Sequence, residues 1–338
     1  MIKTFSGIAP MVEEINRLES RLFLVIDSNI QQLYGSRLAA IAAQQTYVLE
    51  ASESGKEIGT VIDICRFLMQ GQADRNSVLI SIGGGVTSDI AGFVAAIYKR
   101  GMSYVSVPTT LLAQVDAAVG GKNGVNLDGF KNVIGTIRQP DGIFYCTEFL
   151  STLPDEEILS GWAETVKTAV IRGGDIYRSC LDAAGEKGIL ARKQQLSAEL
   201  IAEISGIKLD IVRQDPYEKG LRRVLNFGHT YGHAIEKEYL KNGKHITHGQ
   251  AVAMGMILAT TISERLNIAQ QGICERLKTD FDRFGLEYRC DIPKSVLDRH
   301  IIQDKKAEGA AIHFAAIRDI GVIEPVKIYF KDILSIDI

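Results

Sequence analysis

Short apolar runs alternate with helical spacing over the first 150 residues of the chain. Residues 22–26 form an unbroken apolar run of strand length, closed by the polar turn formers Asp27, Ser28 and Asn29. Residues 47–49 give a weaker strand signal, followed by a helical pattern over 56–70. Residues 78–82 are another strand run, ending in Gly83, Gly84 and Gly85. A helical stretch over 87–100 then leads to a strand over 103–107. Strands alternating with helices predict βαβ units around a mainly parallel sheet.

Beyond Pro154 the pattern changes. Residues 155–172, 194–213, 224–240 and 248–266 all show helical spacing, with few strand candidates between them. The expected architecture is an α/β nucleotide-binding domain over 1–150 and a mostly α-helical domain over 151–338, with no internal repeat.

Composition narrows the class. A chain of 338 residues at 46% hydrophobic is long enough for two cores. Its net charge of −3 gives no reason to expect nucleic acid or an anionic membrane as a partner. The five cysteines are scattered without a CxxC pair, as in a protein kept reduced. The N-terminal stretch lacks the apolar core of a signal peptide. The longest apolar stretch, 251–262, carries Gly255 and two threonines and is too short to span a bilayer. The expectation is a soluble, cytoplasmic protein.

Four groups of residues carry chemistry. In the first, Gly83-Gly84-Gly85-Val86-Thr87-Ser88-Asp89 joins a strand to a helix, where glycines let backbone N–H groups approach a phosphate. Ser88 stands where a third glycine would complete GxGxxG. Asp27 and the Glu53/Lys56 pair lie just beyond strand ends, where they could contact a nucleotide; taken alone, each reads better as an ordinary surface charge. In the second, Gly120 and Gly121 deliver Lys122, and Lys131-Asn132 follows ten residues on, a set suited to an anion.

The third group lies in the helical half. His229 and His233 are spaced i,i+4, His248 opens the next helical pattern, and Glu164 and Lys167 share a helix face. Imidazole and carboxylate together suit a zinc-type site, and spacing alone selects His229 and His233 as ligands. Gly228 and Gly232, one turn apart, suit close helix packing. His245, His300 and His313 stand alone and read as structural or surface. The fourth group, Lys208, Arg222, Arg223, Lys305 and Lys306, is basic and fits a polyanionic substrate.

Together these groups resemble the 3-dehydroquinate synthase family. The resemblance runs from about Asp27 to Lys306, on GGGVTSDIAGFVAAIYKRG (83–101), PTTLLAQVDAAVGGKNGVNLDGFKNVIG (108–135), RRVLNFGHTYGHAIE (222–236) and HGQAVAMGM (248–256). It implies a metal site of Glu164, His229 and His248, holding zinc or cobalt, with His233 given instead to proton transfer or phosphate contact. It implies phosphate contacts from Lys122, Asn132, Asn226 and one of Lys305 and Lys306. Lys208 and Arg222 match contacts to the substrate carboxylate and hydroxyls. Lys167, Asp116 and Glu218 match other pocket residues. Arg100 matches an arginine reaching into a neighbouring subunit's site, which implies a homodimer. For NAD it points to Asp27, Asn29, Glu53, Lys56, Gly84, Gly85, Asp89, Thr109, Thr110, Leu112, Lys131 and Thr152. The chain departs from the family at Ala117-Ala118, where a serine is usual, and at Asn123, where threonine is usual.

The implied reaction turns 3-deoxy-D-arabino-heptulosonate 7-phosphate, a phosphorylated sugar acid, into 3-dehydroquinate and phosphate, with NAD used and regenerated. Two other enzyme readings share much of this machinery. A 2-deoxy-scyllo-inosose or valiolone synthase would act on a substrate without a carboxylate, leaving Arg222 and Lys208 without their purpose. A polyol dehydrogenase would need no phosphate cradle at Lys122 and Asn132. A catalytically dead binding protein would be expected to lack ligand residues, and none is missing.

Overall fold

The computed structural model describes residues 1–305 and 311–336. It comprises two compact units, Met1–Leu153 with Leu196–Ser205, and Pro154–Gln195 with Gly206–Ile338.

The first unit is built on β1 (Ile2–Phe5), β2 (Leu22–Asp27), β3 (Ala43–Leu49), β4 (Val78–Gly83), β5 (Ser103–Pro108) and β8 (Gly142–Cys146). They form one sheet in the order β1-β8-β5-β4-β2-β3, and every pair is parallel. Side chains alternate across a strand. β2 therefore sends Leu22, Leu24 and Ile26 to one face and Phe23 and Val25 to the other, and all five are buried. The first face packs on α1 (Ile8–Asn16) and α2 (Ser28–Leu38) through Met11, Ile15 and Tyr34. The second packs on α3 (Ile58–Gln70) and α4 (Gly85–Ile97) through Val61, Ile64, Ile90 and Val94. Helices on both faces explain why β2 and β4 are unbroken apolar runs rather than alternating ones.

The order reverses between β2 and β4: β3 lies beyond one and β5 beyond the other. Their carboxyl ends are thus adjacent at a topological switch point, where open α/β sheets take ligands. A separate antiparallel hairpin, β6 (Lys122–Leu127) and β7 (Phe130–Ile137), completes this unit.

The helices after Leu153 are α5 (Asp155–Arg172), α6 (Gly174–Ala184), α7 (Ala198–Gln214), α8 (His229–Lys241), α9 (His248–Arg265), α10 (Ile273–Phe284), α11 (Lys294–Lys305) and α12 (Phe330–Leu334). An antiparallel hairpin of β9 (Ala311–Asp319) and β10 (Val322–Tyr329) lies among them, in a region where sequence spacing gave no strand. In α5 every residue from 160 to 171 is buried, so this helix is central to its unit. Glycines set how closely its neighbours approach. A Cβ on Gly249 would lie 2.1 Å from the Ser160 carbonyl oxygen, and one on Gly255 2.0 Å from that of Gly228. Gly228 itself is not inside a helix, as its spacing from Gly232 suggested. It precedes α8 with a left-handed φ of 82°, a conformation glycine adopts without steric cost.

Candidate active site and metal centre

In the first unit, the residues expected to meet NAD gather beyond the carboxyl ends of the parallel strands. Asp27 ends β2, and its carboxylate accepts the Asn29 amide at 2.8 Å. Burial pushes the Asp27 carboxyl above its usual range, against the pull of hydrogen bonds from Asn29 and Ile30. Gly84 caps α4 without a side-chain bond, and a Cβ there would lie 3.1 Å from Thr110 Cγ2. The Thr109 amide donates to the Gly83 carbonyl at 2.9 Å, drawing the β5 turn against the glycine turn. Leu112 precedes the π-helical turn that holds Asp116, and both are half-buried. Thr152 shares a 2.9 Å hydrogen bond with the Tyr34 hydroxyl.

Lys56 joins two of the expected residues. Its ammonium is buried and lies 2.5 Å from Asp89 Oδ2 and 2.6 Å from Asn132 Oδ1. Asn126, which sequence reasoning did not single out, fixes this group. Its side-chain oxygen accepts the Asn132 amide at 2.9 Å, and its Nδ2 donates to Glu53 Oε1 at 2.9 Å. Lys122 and Lys131 are exposed on the same hairpin. Asn123 has its own role: its Nδ2 donates to the carbonyls of Gly121 and Arg138, both at 2.9 Å, closing the base of the hairpin. Arg100 is exposed in a left-handed turn, with φ of 66°.

In the second unit, α5, α8 and α9 bring Glu164, His229 and His248 together, with one donor atom from each lying within 4.8 Å of the others. Glu164 Oε1 is 3.6 Å from His229 Nε2 and 3.5 Å from His248 Nε2. Two ligands bound tetrahedrally at metal distances of roughly 2.1 Å would stand about 3.4 Å apart, so the spacing fits one ion. Both Glu164 oxygens are buried and accept no well-aligned hydrogen bond, leaving them suited to a cation. Lys167 Nζ lies 2.5 Å from Oε2, also fully buried. Burial alone would raise the Glu164 carboxyl; Lys167, His229 and His248 outweigh it and hold the group well below the usual range. Burial, with Lys167 nearby, drives the His229 imidazole well down. For His248, burial opposes charge, but contacts to Glu164 and Glu236 push it up to about 10.

His233 lies beside this triad rather than within it, its ring 5.3 Å from that of His229 and 6.2 Å from that of His248. The i,i+4 choice of His229 with His233 is therefore replaced by a set drawn from three helices. Spacing along one helix cannot reveal a carboxylate 65 residues earlier.

The segment before α8 is organised by Asp215, another residue the sequence reading passed over. Its carboxylate accepts backbone N–H groups of Lys219, Gly220 and Arg222 at 2.9, 2.7 and 3.1 Å. Arg222 is buried, and its Nη1 donates to the Pro216 carbonyl at 2.8 Å. Glu218 Oε1 accepts Asn226 Nδ2 at 2.6 Å, fixing that side chain three residues before His229. Lys208 is buried on α7. Two polar pairs hold α11 to α8: the Tyr231 hydroxyl donates to Asp298 Oδ1 at 2.9 Å, and His300 Nε2 meets Glu238 Oε2 at 2.7 Å. Lys294 adds a 2.7 Å contact to Asp298 and another to the Ile333 carbonyl. Lys305 ends α11; its side chain and all of Lys306 lie outside the described residues. His245 and His313 are exposed.

Two family models match the chain: 3-dehydroquinate synthase N-terminal over residues 46–160 and 3-dehydroquinate synthase C-terminal over 161–307. The chain belongs to the 3-dehydroquinate synthase family. A 3-dehydroquinate synthase from Dictyoglomus thermophilum is 37% identical over 315 residues, covering 93% of this chain and 87% of that one. Among solved structures, 2-epi-5-epi-valiolone synthase from Streptomyces hygroscopicus, with NAD+ and Zn2+ bound, has a TM-score of 0.86 at 24% identity over 99% of this chain and 94% of that one. A 2-deoxy-scyllo-inosose synthase complexed with carbaglucose-6-phosphate, NAD+ and Co2+ has the same TM-score and identity, over 98% and 94%. These two likenesses speak to the fold. Among the described residues, no helix is long and apolar enough to cross a membrane.

Proposed function

We propose that this chain is a lyase that converts 3-deoxy-D-arabino-heptulosonate 7-phosphate to 3-dehydroquinate and phosphate. The observation that carries the reading is a buried Arg222 seven residues before His229, in a chain whose family membership spans 46–307. A buried guanidinium fork suits a carboxylate, which the other sugar-phosphate substrates lack.

NAD, when bound, supplies reversible hydride acceptance, and a zinc or cobalt ion supplies Lewis acidity toward the hydroxyl being oxidised. Glu164, His229 and His248 are assigned to the ion, and Lys167 keeps Glu164 ionised. Asp27, Asn29, Glu53, Lys56, Gly84, Gly85, Asp89, Thr109, Thr110, Leu112, Lys131 and Thr152 are assigned to NAD. Lys122, Asn132, Asn226, His233 and Lys305 are assigned to the phosphate, Lys208 and Arg222 to the carboxylate and hydroxyls, and Asp116 and Glu218 to the pocket lining. Loss of phosphate breaks a C–O bond after a neighbouring C–H proton leaves, and the phosphate's own oxygens can accept that proton. The side chains then chiefly orient the substrate and exclude water. Arg100, exposed on its turn, is assigned to a neighbouring copy's site in a homodimer, and the scattered cysteines support a cytoplasmic setting.

The test is phosphate release from the heptulosonate phosphate, with and without NAD and a strong chelator. Release that needs both NAD and metal, forms dehydroquinate and builds up no NADH is the expected result. Turnover of glucose 6-phosphate or sedoheptulose 7-phosphate instead, or net NADH from polyols, would replace the proposed substrate.

A further inference from the structure

The two histidines of the triad are alike in a way that ligand distances do not convey. Each turns Nε2 toward Glu164 Oε1 and has an acceptor at Nδ1. For His229 that acceptor is the Phe227 carbonyl oxygen, at 3.3 Å. For His248 it is Glu236 Oε1, also at 3.3 Å. A carbonyl or an ionised carboxylate can only accept, so Nδ1 is protonated in both rings, and Nε2 is the nitrogen left to offer a lone pair once it gives up any proton of its own to a metal ion.

The backbone at His248 is fixed without Glu236. Thr247 caps α9 in a reciprocal box with Gln250, and the Gly249 amide donates to Ser160 Oγ at 3.1 Å. Neither contact touches the imidazole, which is still able to turn about its Cβ–Cγ bond. Among the contacts described above, the bond to Glu236 is the one that sets which nitrogen faces Glu164. Glu236 lies two turns along α8 from His229, so the helix that supplies one ligand also supplies the acceptor that orients the other. Its side chain is 22% exposed and that of His248 29%, so the pair is partly shielded from water.

We infer that Glu236 is the positioning residue for His248, accepting its Nδ1 proton so that Nε2 is presented to a divalent ion held with Glu164 and His229. This rests on the metal assignment made above. Outer carboxylates of this kind raise ligand basicity and fix ring orientation, and their loss typically costs about 10–100-fold in metal affinity.

The experiment is Co2+ binding to the metal-stripped full chain, followed by chelator competition and by the visible absorption of the bound ion. Glu236→Ala is expected to bind Co2+ about 10–100-fold more weakly than the parent. Glu236→Gln, whose amide oxygen still accepts from Nδ1, should lose less, and excess Co2+ should restore turnover in both with an unchanged KM for the sugar phosphate. Glu236→Ala binding Co2+ as tightly as the parent, with the same absorption, would overturn the inference while leaving the triad intact. A parent chain that binds no Co2+ would overturn the metal assignment itself. Should Glu236→Ala fail to fold, Glu236→Leu, which is close in size but accepts nothing from Nδ1, decides: unaltered Co2+ affinity and absorption overturn the inference.

Discussion

Replacing Glu164 with alanine is expected to abolish metal binding and turnover together, and to lower the melting temperature of the metal-free protein as well. Glu164 is the anionic member of the triad and the one both imidazoles face. Without it two neutral ligands remain, too few for a catalytic zinc-type site, which needs three protein donors. The stability loss has a separate origin. Lys167 is 2% exposed and meets Glu164 at 2.5 Å, so truncation takes the carboxylate away from a buried ammonium. Breaking one side of a buried pair costs about 3–5 kcal/mol. Lys167→Met in the Glu164→Ala background should recover much of the stability and none of the metal binding. Elemental analysis and thermal melts separate the two effects; a Glu164→Ala protein that keeps both its metal and its activity would sink the assignment.

Arg222→Ala should raise KM for the heptulosonate phosphate by about 100-fold, corresponding to about 3 kcal/mol of lost charge-assisted contact. A smaller change in kcat is expected, because a carboxylate remote from the reacting carbons is held similarly before and during the reaction. Arg222→Lys restores the charge but not the planar fork, so it should recover only part of the loss. The backbone of this turn should persist, since Asp215 also holds the backbone N–H groups of Lys219, Gly220 and Arg222. Initial-rate kinetics over a range of substrate concentrations give the split. A wild-type KM for Arg222→Ala would return the carboxylate contact to another residue.

The parallel sheet was legible because both faces of β2 and β4 are covered, so burial writes itself as consecutive apolar residues. Of the helices after Leu153, α5, α7, α8 and α9 were legible from helical spacing, whereas α6, α10, α11 and α12 were not singled out. The hairpin of β6 and β7 was not: Gly124, Asn126, Lys131 and Asn132 leave it little apolar character. Its strands pair with each other rather than with the main sheet. The β9–β10 hairpin was missed because most of β9 is buried and its apolar run shows no clean alternation. At the site, residue type already set Glu164 beside the histidines, but spacing alone chose His229 with His233 as ligands, and it was the resemblance that pointed to Glu164 and His248. Asn126, Asp215 and Glu236 escaped notice because each acts on a residue that acts, and a short polar side chain in a turn or on a helix face carries no pattern of its own.

The polar pairs Tyr231–Asp298 and His300–Glu238 have a dynamic consequence. Because α8 and α11 are joined at two points a few residues apart, neither helix can open without breaking bonds to the other. Their amide protons should therefore exchange as a single cooperative unit, with a shared opening free energy. Since α8 carries His229 and His233, the order of those rings is underwritten by a helix that contributes neither. A lesion at Asp298 would reach them as faster breathing of α8 rather than as a displaced ligand.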